Sequence, residues 1–403
     1  MTGAGRGAAW TDERGTSEEG RRRPEAHRPG GSGGVTPRAS TVVVGAGLTG
    51  LCTAWALARR GRDVLVIEQA DVGHAGGGSH GSCRIFRYGY EQPEYVRLAG
   101  QARTLWRELE NASGTRLLHP CPQLTFGPLM PEVLAAMREA GAPCEVLPAA
   151  EAARRFPGVT ASGDVLYEPE SAVIAADQSL AALADLVARG GEVRSGATVT
   201  GLADDGRQVL VSTTAGDVLA DVAIVCAGPW TPGLLGPAAI TVPGGATLEQ
   251  VAYLAPAAAD GDSTVFPDQH GMPIFVHYGG EFPYGLPVPG SDRYKLGLHH
   301  GGPPTDPDRQ EPGPDQDLTA RTERAARQFL PGCDPVPVAT ERCVYDNSPD
   351  TDFVVDRIGN IVIGSGTSGH GFKFGPLLGE WLAILAVGAN AAAVPRRFAL
   401  SRF

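Results

Sequence analysis

The chain has 403 residues, a net charge of −11 and seven cysteines. The acidic balance excludes nucleic acid and an anionic membrane as main partners. The cysteines, odd in number and without CxxC spacing, exclude a disulfide framework and a metal site, and no apolar run reaches the roughly 18 residues that span a bilayer.

Residues 1–39 are rich in Gly, Arg, Pro and Glu, and no hydrophobic stretch follows the cluster Arg21, Arg22 and Arg23. The segment is expected to be a disordered extension, not a secretory signal, which places the chain in the cytoplasm. Residues 41–44 are β-branched and end in Gly45, a strand signal. Gly45-Ala46-Gly47-Leu48-Thr49-Gly50 then opens a helix expected through about Arg60, and residues 63–67 form a second strand ending in Glu68. A GxGxxG between strand and helix, with an acidic residue after the next strand, is a dinucleotide fingerprint. Gly45, Gly47 and Gly50 permit a tight turn and the approach of a pyrophosphate to the helix N-terminus, and Glu68 is placed to accept ribose hydroxyls. The motif alone suits NAD as well as FAD.

Residues 71–82 are a Gly-, Ser- and His-rich loop leading to Cys83-Arg84-Ile85-Phe86-Arg87-Tyr88. Arginines beside Ile85 and Phe86 are expected to be partly buried and to face anions. Residues 93–110 read as an amphipathic helix with Leu98, Leu105, Trp106 and Leu109 inward, and Glu94 at its start is a candidate for the cavity or for solvent. Helices are also expected at 131–140, 178–189 and 321–329, and strands at 192–199, 209–213, 221–226, 251–254, 274–277 and 294–299. Residues 361–363 are a last core strand, meeting a second Gly-rich turn that contains Gly369, His370 and Lys373 before a helix through about Val387. Of 34 basic residues only Lys295 and Lys373 are lysines. Where a cation needs only solvation arginine serves as well, so two surviving ammonium groups mark sites where a compact or titratable cation is needed.

Four segments together resemble the monomeric sarcosine oxidase family, with its N-methyltryptophan and pipecolate oxidases. They are the fingerprint, the loop from Ser79 to Arg87, Tyr284-Gly285-Leu286-Pro287 with Lys295 eleven residues on, and Cys343-Val344-Tyr345 with the run from Ser368 to Phe374. The resemblance runs from about residue 40 to the C-terminus. It implies an α/β fold: a Rossmann-like FAD-binding domain from residues 40–118, 160–233 and 343–403, and a mixed-sheet substrate domain from 119–159 and 234–342.

The resemblance also implies roles. Cys343 matches the cysteine that anchors FAD covalently. Lys295 matches the lysine on the flavin face, where a fixed cation lowers the cost of charge developing on O2. Arg87 and Lys373 match the pair that holds the substrate carboxylate, Arg84 and His80 flank the flavin ring, and Tyr284, Tyr345 and His299 line the substrate cavity. The implied catalytic set is therefore Lys295, His299, Arg84 and Tyr345, and the substrate set Arg87, Lys373 and Tyr284. Gly45, Gly47, Gly50, Glu68, His80, Arg84, Cys343, Gly369, His370 and Lys373 form the cofactor set. The expected partners are a small amino-acid-like amine and O2, for a monomer or weak oligomer.

The chain departs from the sarcosine oxidases at Ser82 and Cys83, where they carry Asp and Thr. Thr367 stands where bulkier residues sit, and Leu298 replaces an aromatic. These changes count against sarcosine itself. A cyclic imino acid, a carrier-tethered amino acid and an electron acceptor other than O2 remain open.

Overall fold

The computed structural model describes residues 36–257, 272–310, 313–389 and 391–403. All but four residues of the expected extension, 1–35, lie outside the described residues. The first strand, Arg38–Val44, already begins within that stretch: Arg38 and Ala39 pair with Leu219 and Ala220, and Arg38 binds Asp221 at 2.6 Å.

Five parallel strands form the centre of an eight-stranded sheet, in the order Ile361–Ser365, Val218–Val225, Arg38–Val44, Val64–Ile67 and Glu192–Arg194. All but the edge strand Glu192–Arg194 are largely apolar on both faces, as parallel strands covered on both sides must be. Val43, Val66, Ile224 and Val362 face the helices Leu48–Ala58 and Gly375–Ala386. Val42, Val44, Leu65, Val225 and Ile363 face a second core shared with the antiparallel strands Val199–Asp204 and Val209–Thr213. The strand expected over 192–199 is two strands, because Gly196 turns the chain at φ +72°.

A nine-stranded mixed sheet carries the other layer. Its central strands are Gly245–Leu254, Tyr294–Leu298, Pro283–Pro287, Ile274–His277 and Gln123–Phe126. The helix Gln316–Phe329 packs on it through Leu330, Phe329 and Ala326, and Asp315 caps that helix by accepting from the N–H groups of Asp317 and Leu318. This sheet also takes Val165–Glu168 and the edge strand Ala339–Asn347, which come partly from segments expected in the cofactor domain. Hydrogen bonding between strands therefore divides the chain a few residues away from the expected boundaries, within one compact unit spanning Thr36–Phe403. A third, three-stranded sheet includes Cys83–Phe86 and Ala172–Ala175.

The helix Pro93–Ser113 buries Leu98, Trp106 and Leu109 and leaves Leu105 partly covered. Glu94, at its start, pairs with Arg397 at 2.6 Å and stays half-exposed, away from any cavity. Among the described residues, no helix is long and apolar enough to cross a membrane.

Candidate functional site

One cavity of 810 Å³ runs from the first Gly-rich turn to the mixed sheet. Every predicted site residue except Gly50 lines it, although the residues come from both large sheets and from loops spread along the chain from Gly45 to Lys373.

At one end, backbone geometry dictates glycine. Gly45 has φ +99°, and a Cβ there would stand 2.5 Å from the carbonyl oxygen of Cys226. At Gly50 a Cβ would meet the Gly45 carbonyl oxygen at 1.9 Å. Gly50 thus lets the helix pack against the turn without touching the cavity. The helix Leu48–Ala58 has no side-chain cap and no acid in its first turn, so its dipole is open to an anion. Glu68 accepts from Ala46 N–H at 2.7 Å and Ala70 N–H at 3.0 Å, and its other neighbour is His74 at 3.4 Å. Burial opposes its ionisation, but the His74 and backbone hydrogen bonds prevail and hold the carboxyl below its ordinary range. A glycine cradle, an uncapped helix N-terminus and a buried ionised carboxylate fit the pyrophosphate and ribose of a dinucleotide.

At the middle of the cavity, Lys295 is buried on the strand Tyr294–Leu298 and donates to the Cys83 carbonyl at 3.2 Å. Burial, with Arg84 beside it, holds its ammonium below the ordinary lysine value. Arg84 bonds three backbone carbonyls, of Cys83, Gly78 and His80, at 2.6 to 3.1 Å, and lies over the Phe372 ring. His80 Nε2 meets two acceptors, the Arg342 carbonyl at 2.9 Å and Glu341 Oε1 at 3.3 Å. Its Nδ1 is buried with no hydrogen-bond partner among the described residues. Cys343 carries a free thiol opposite Glu249 in the sheet; burial raises its pKa, while Arg84 and Lys295 pull the other way. An orphaned imidazole nitrogen, two buried cations and a free thiol on one wall fit a flavin ring.

The far end gathers Arg87, Lys373, His299, Tyr284 and Tyr345. Arg87 donates to the Tyr278 hydroxyl at 2.5 Å and stacks 4.4 Å from the centre of Tyr90. Lys373 donates to the Tyr90 hydroxyl and the His370 carbonyl, each at 3.0 Å. Among the described residues neither cation forms an ion pair, although both are nearly solvent-free. Burial, and then Arg87, pull the Lys373 ammonium well below its ordinary value. Such cations call for an anion from outside the chain.

His370 Nε2 meets the Thr351 carbonyl at 2.9 Å, so it carries the proton and Nδ1 accepts from Tyr90 at 3.3 Å. Burial and Lys373 push the His370 pKa down to about 3, which keeps it neutral. A Cβ at Gly369, whose φ is +72°, would overlap the Tyr345 ring. The hydroxyls of Tyr345 and Tyr284 bear on each other, and burial raises the pKa of both. His299 lies between Phe282, His300 and Tyr345, and burial and the nearby His300 hold it neutral, well below the ordinary histidine value.

Sequence reasoning missed Tyr90, Tyr278, Tyr253, Glu341 and His74. Tyr90 and His74 stand beside segments that carried a signal, whereas Tyr253 and Glu341 sit in strands, and Tyr278 just past one, with no local mark.

Residues 40–385 match the family model DAO, FAD dependent oxidoreductase. The chain is 33% identical over 379 residues to the peroxisomal sarcosine oxidase of Mus musculus, covering 90% of this chain and 95% of the relative. It is 30% identical over 361 residues to the monomeric sarcosine oxidase of Arthrobacter sp. (strain TE1826), covering 86% and 92%. Among solved structures, the open form of NikD, an unusual amino acid oxidase essential for nikkomycin biosynthesis, superposes with a TM-score of 0.79 at 28% identity, covering 90% of this chain and 98% of that one.

Proposed function

The chain belongs to the FAD dependent oxidoreductase family, and on that premise we propose that it oxidises a secondary amine, an N-methyl or cyclic amino acid, with O2 as electron acceptor. The observation that carries this reading is the pair Arg87 and Lys373, two buried cations that form no ion pair among the described residues, although Glu168 and Glu91 bear on Arg87 from a distance, at the far end of the cavity from the glycine cradle. A substrate carboxylate held there is oriented before reaction, which is where positioning lowers a barrier.

Gly45, Gly47, Glu68 and the helix N-terminus would hold the dinucleotide portion of FAD. His80, Arg84, Gly369 and His370 would flank its ring, and Cys343 would anchor it by a thioether. When bound, FAD would supply the two-electron redox chemistry by which the amine is oxidised to an imine and O2 reduced to hydrogen peroxide.

The chain's own groups do the rest. Neutral His299 offers a hydrogen bond to an amine bound in its deprotonated form, so no strong base is needed. Tyr345 and Tyr284, linked to each other, close the cavity wall beside it. Lys295, a buried cation, favours charge developing on oxygen. That placement supports O2 over another acceptor. The likeness to NikD, an amino acid oxidase of a biosynthetic route, supports oxidation of an amino acid in a biosynthetic tailoring step as the second reading. We place the protein in the cytoplasm as a monomer or weak oligomer.

A panel of secondary, cyclic and primary amino acids with peroxide detection tests the reading. Turnover confined to secondary or cyclic amines supports it, and turnover confined to primary amines or to compounds lacking a carboxylate overturns it.

A further inference from the structure

The proposed reaction leaves one carboxylate on the cavity wall without a task. Glu68 accepts from Ala46 N–H beside the helix N-terminus, Asp306 accepts from Asp308 N–H and pairs with Arg309, Asp308 accepts from Trp230, and Asp346 accepts from Ser365 and Gly366 N–H. Glu341 alone faces the cations. It stands two residues before Cys343 in the edge strand Ala339–Asn347, so both side chains project from one face. The groups that bear on it are the Lys295 ammonium, the Arg84 guanidinium and the His80 imidazole.

Its contacts are specific. Oε1 lies 3.3 Å from His80 Nε2, and Oε2 accepts from the Tyr253 hydroxyl. The Tyr253 hydroxyl also meets Ser82 Oγ at 2.9 Å, and its ring lies 5.6 Å from Lys295 Nζ. The loop backbone presses close: a Cβ on Gly81 would stand 2.3 Å from Glu341 Oε1. Because a carboxylate and the Arg342 carbonyl both face His80 Nε2, that nitrogen carries the proton. The unpartnered Nδ1 is then the atom presented as an acceptor. The Ser82 hydroxyl is tied through Tyr253 to a carboxylate on another strand.

We propose that Glu341 is a positioning residue: it reinforces, beside the Arg342 carbonyl, the Nε2-protonated tautomer of His80 and holds one negative charge against Lys295 and Arg84, and so fixes the field that the flavin ring meets. This inference rests on the flavoenzyme reading above.

The test measures the flavin reduction potential of the holoenzyme and the imidazole nitrogen shifts of His80 by NMR. Glu341→Gln, which keeps the shape and removes the charge, shifts the potential to more positive values and mixes the His80 tautomers. Ser82→Asp added to Glu341→Gln moves the potential back toward that of the unmodified protein. Ser82→Asp alone, which leaves Glu341 in place and adds a charge, shifts the potential to more negative values. Tyr253→Phe keeps the carboxylate and leaves the potential nearly unchanged. A flavin-loaded Glu341→Gln protein with the unmodified potential overturns the inference while leaving the flavoenzyme reading intact. An unchanged potential in Ser82→Asp also overturns it, whether or not the Glu341 variants fold. An unmodified protein that takes up no flavin sinks the underlying reading instead.

Discussion

Lys373 donates a hydrogen bond to the hydroxyl of Tyr90 at 3.0 Å, across 283 positions of chain. The face of the same ring carries the Arg87 guanidinium at 4.4 Å. One phenol thus holds two buried cations side by side, and His370, neutral and accepting at Nδ1, fixes the direction of the phenol proton. The arrangement is costly without an anion, and the predictions begin from it.

Replacing Arg87 with Met removes a charge-assisted contact to the substrate carboxylate, worth about 1.5–3 kcal/mol. The dissociation constant of a carboxylate ligand should rise about ten- to a hundred-fold, with flavin content unchanged. Equilibrium titration of the flavin spectrum measures it. Unaltered affinity would remove Arg87 from the clamp.

The clamp should weaken with alkali earlier than an exposed lysine would. Burial and Arg87 lower the pKa of Lys373, so its charged form is present at low pH and is lost as pH rises, at values below 10.5. Affinity for a carboxylate that has no amine should fall through that window. Lys373→Arg, charged throughout, should abolish the fall, and a flat profile in the unmodified protein would contradict this.

Lys295→Met should slow reoxidation of the reduced flavin by roughly a hundred-fold or more, the usual cost of one preorganised electrostatic contact. Anaerobic reduction by substrate should change little. Stopped-flow measurement of the two half-reactions separates them, and equal losses in both would sink the proposed role.

How much of this was legible beforehand depends on the range of the signal. The strand, turn and helix around Gly45, Gly47 and Gly50 follow from neighbours in sequence, and Glu68 falls where the second strand ends. The scarcity of lysine marked Lys295 and Lys373, and both lie on the cavity wall. Tyr278 and Tyr253 looked like ordinary strand residues, because what distinguishes them is pairing with Arg87 and Glu341, which lie 191 and 88 positions away. The strand end at Arg194 was missed because the turn at Gly196 is a single-residue event inside an apolar pattern.

Gly50→Ala should abolish the cofactor cradle. Its Cβ would overlap the Gly45 carbonyl oxygen at 1.9 Å, and backbone, not a mobile side chain, is what must move. Loss of several kcal/mol of stability is the usual result of such overlap. Thermal melting and flavin content should both drop, and a protein that melts normally with full flavin would refute the packing argument.

Cys343→Ser should leave flavin that separates from the polypeptide on acid precipitation, whereas the unmodified protein should keep its yellow colour in the washed pellet. Flavin retained by the variant would point to another attachment residue.

The most direct test of the amine oxidase reading is anaerobic addition of an N-methyl or cyclic amino acid to the purified flavoprotein, followed by O2. The account predicts that the visible flavin band bleaches with substrate, then returns on aeration with an equimolar yield of hydrogen peroxide. A flavin band that no such amine bleaches, or a bleached flavin that persists in air, would contradict it.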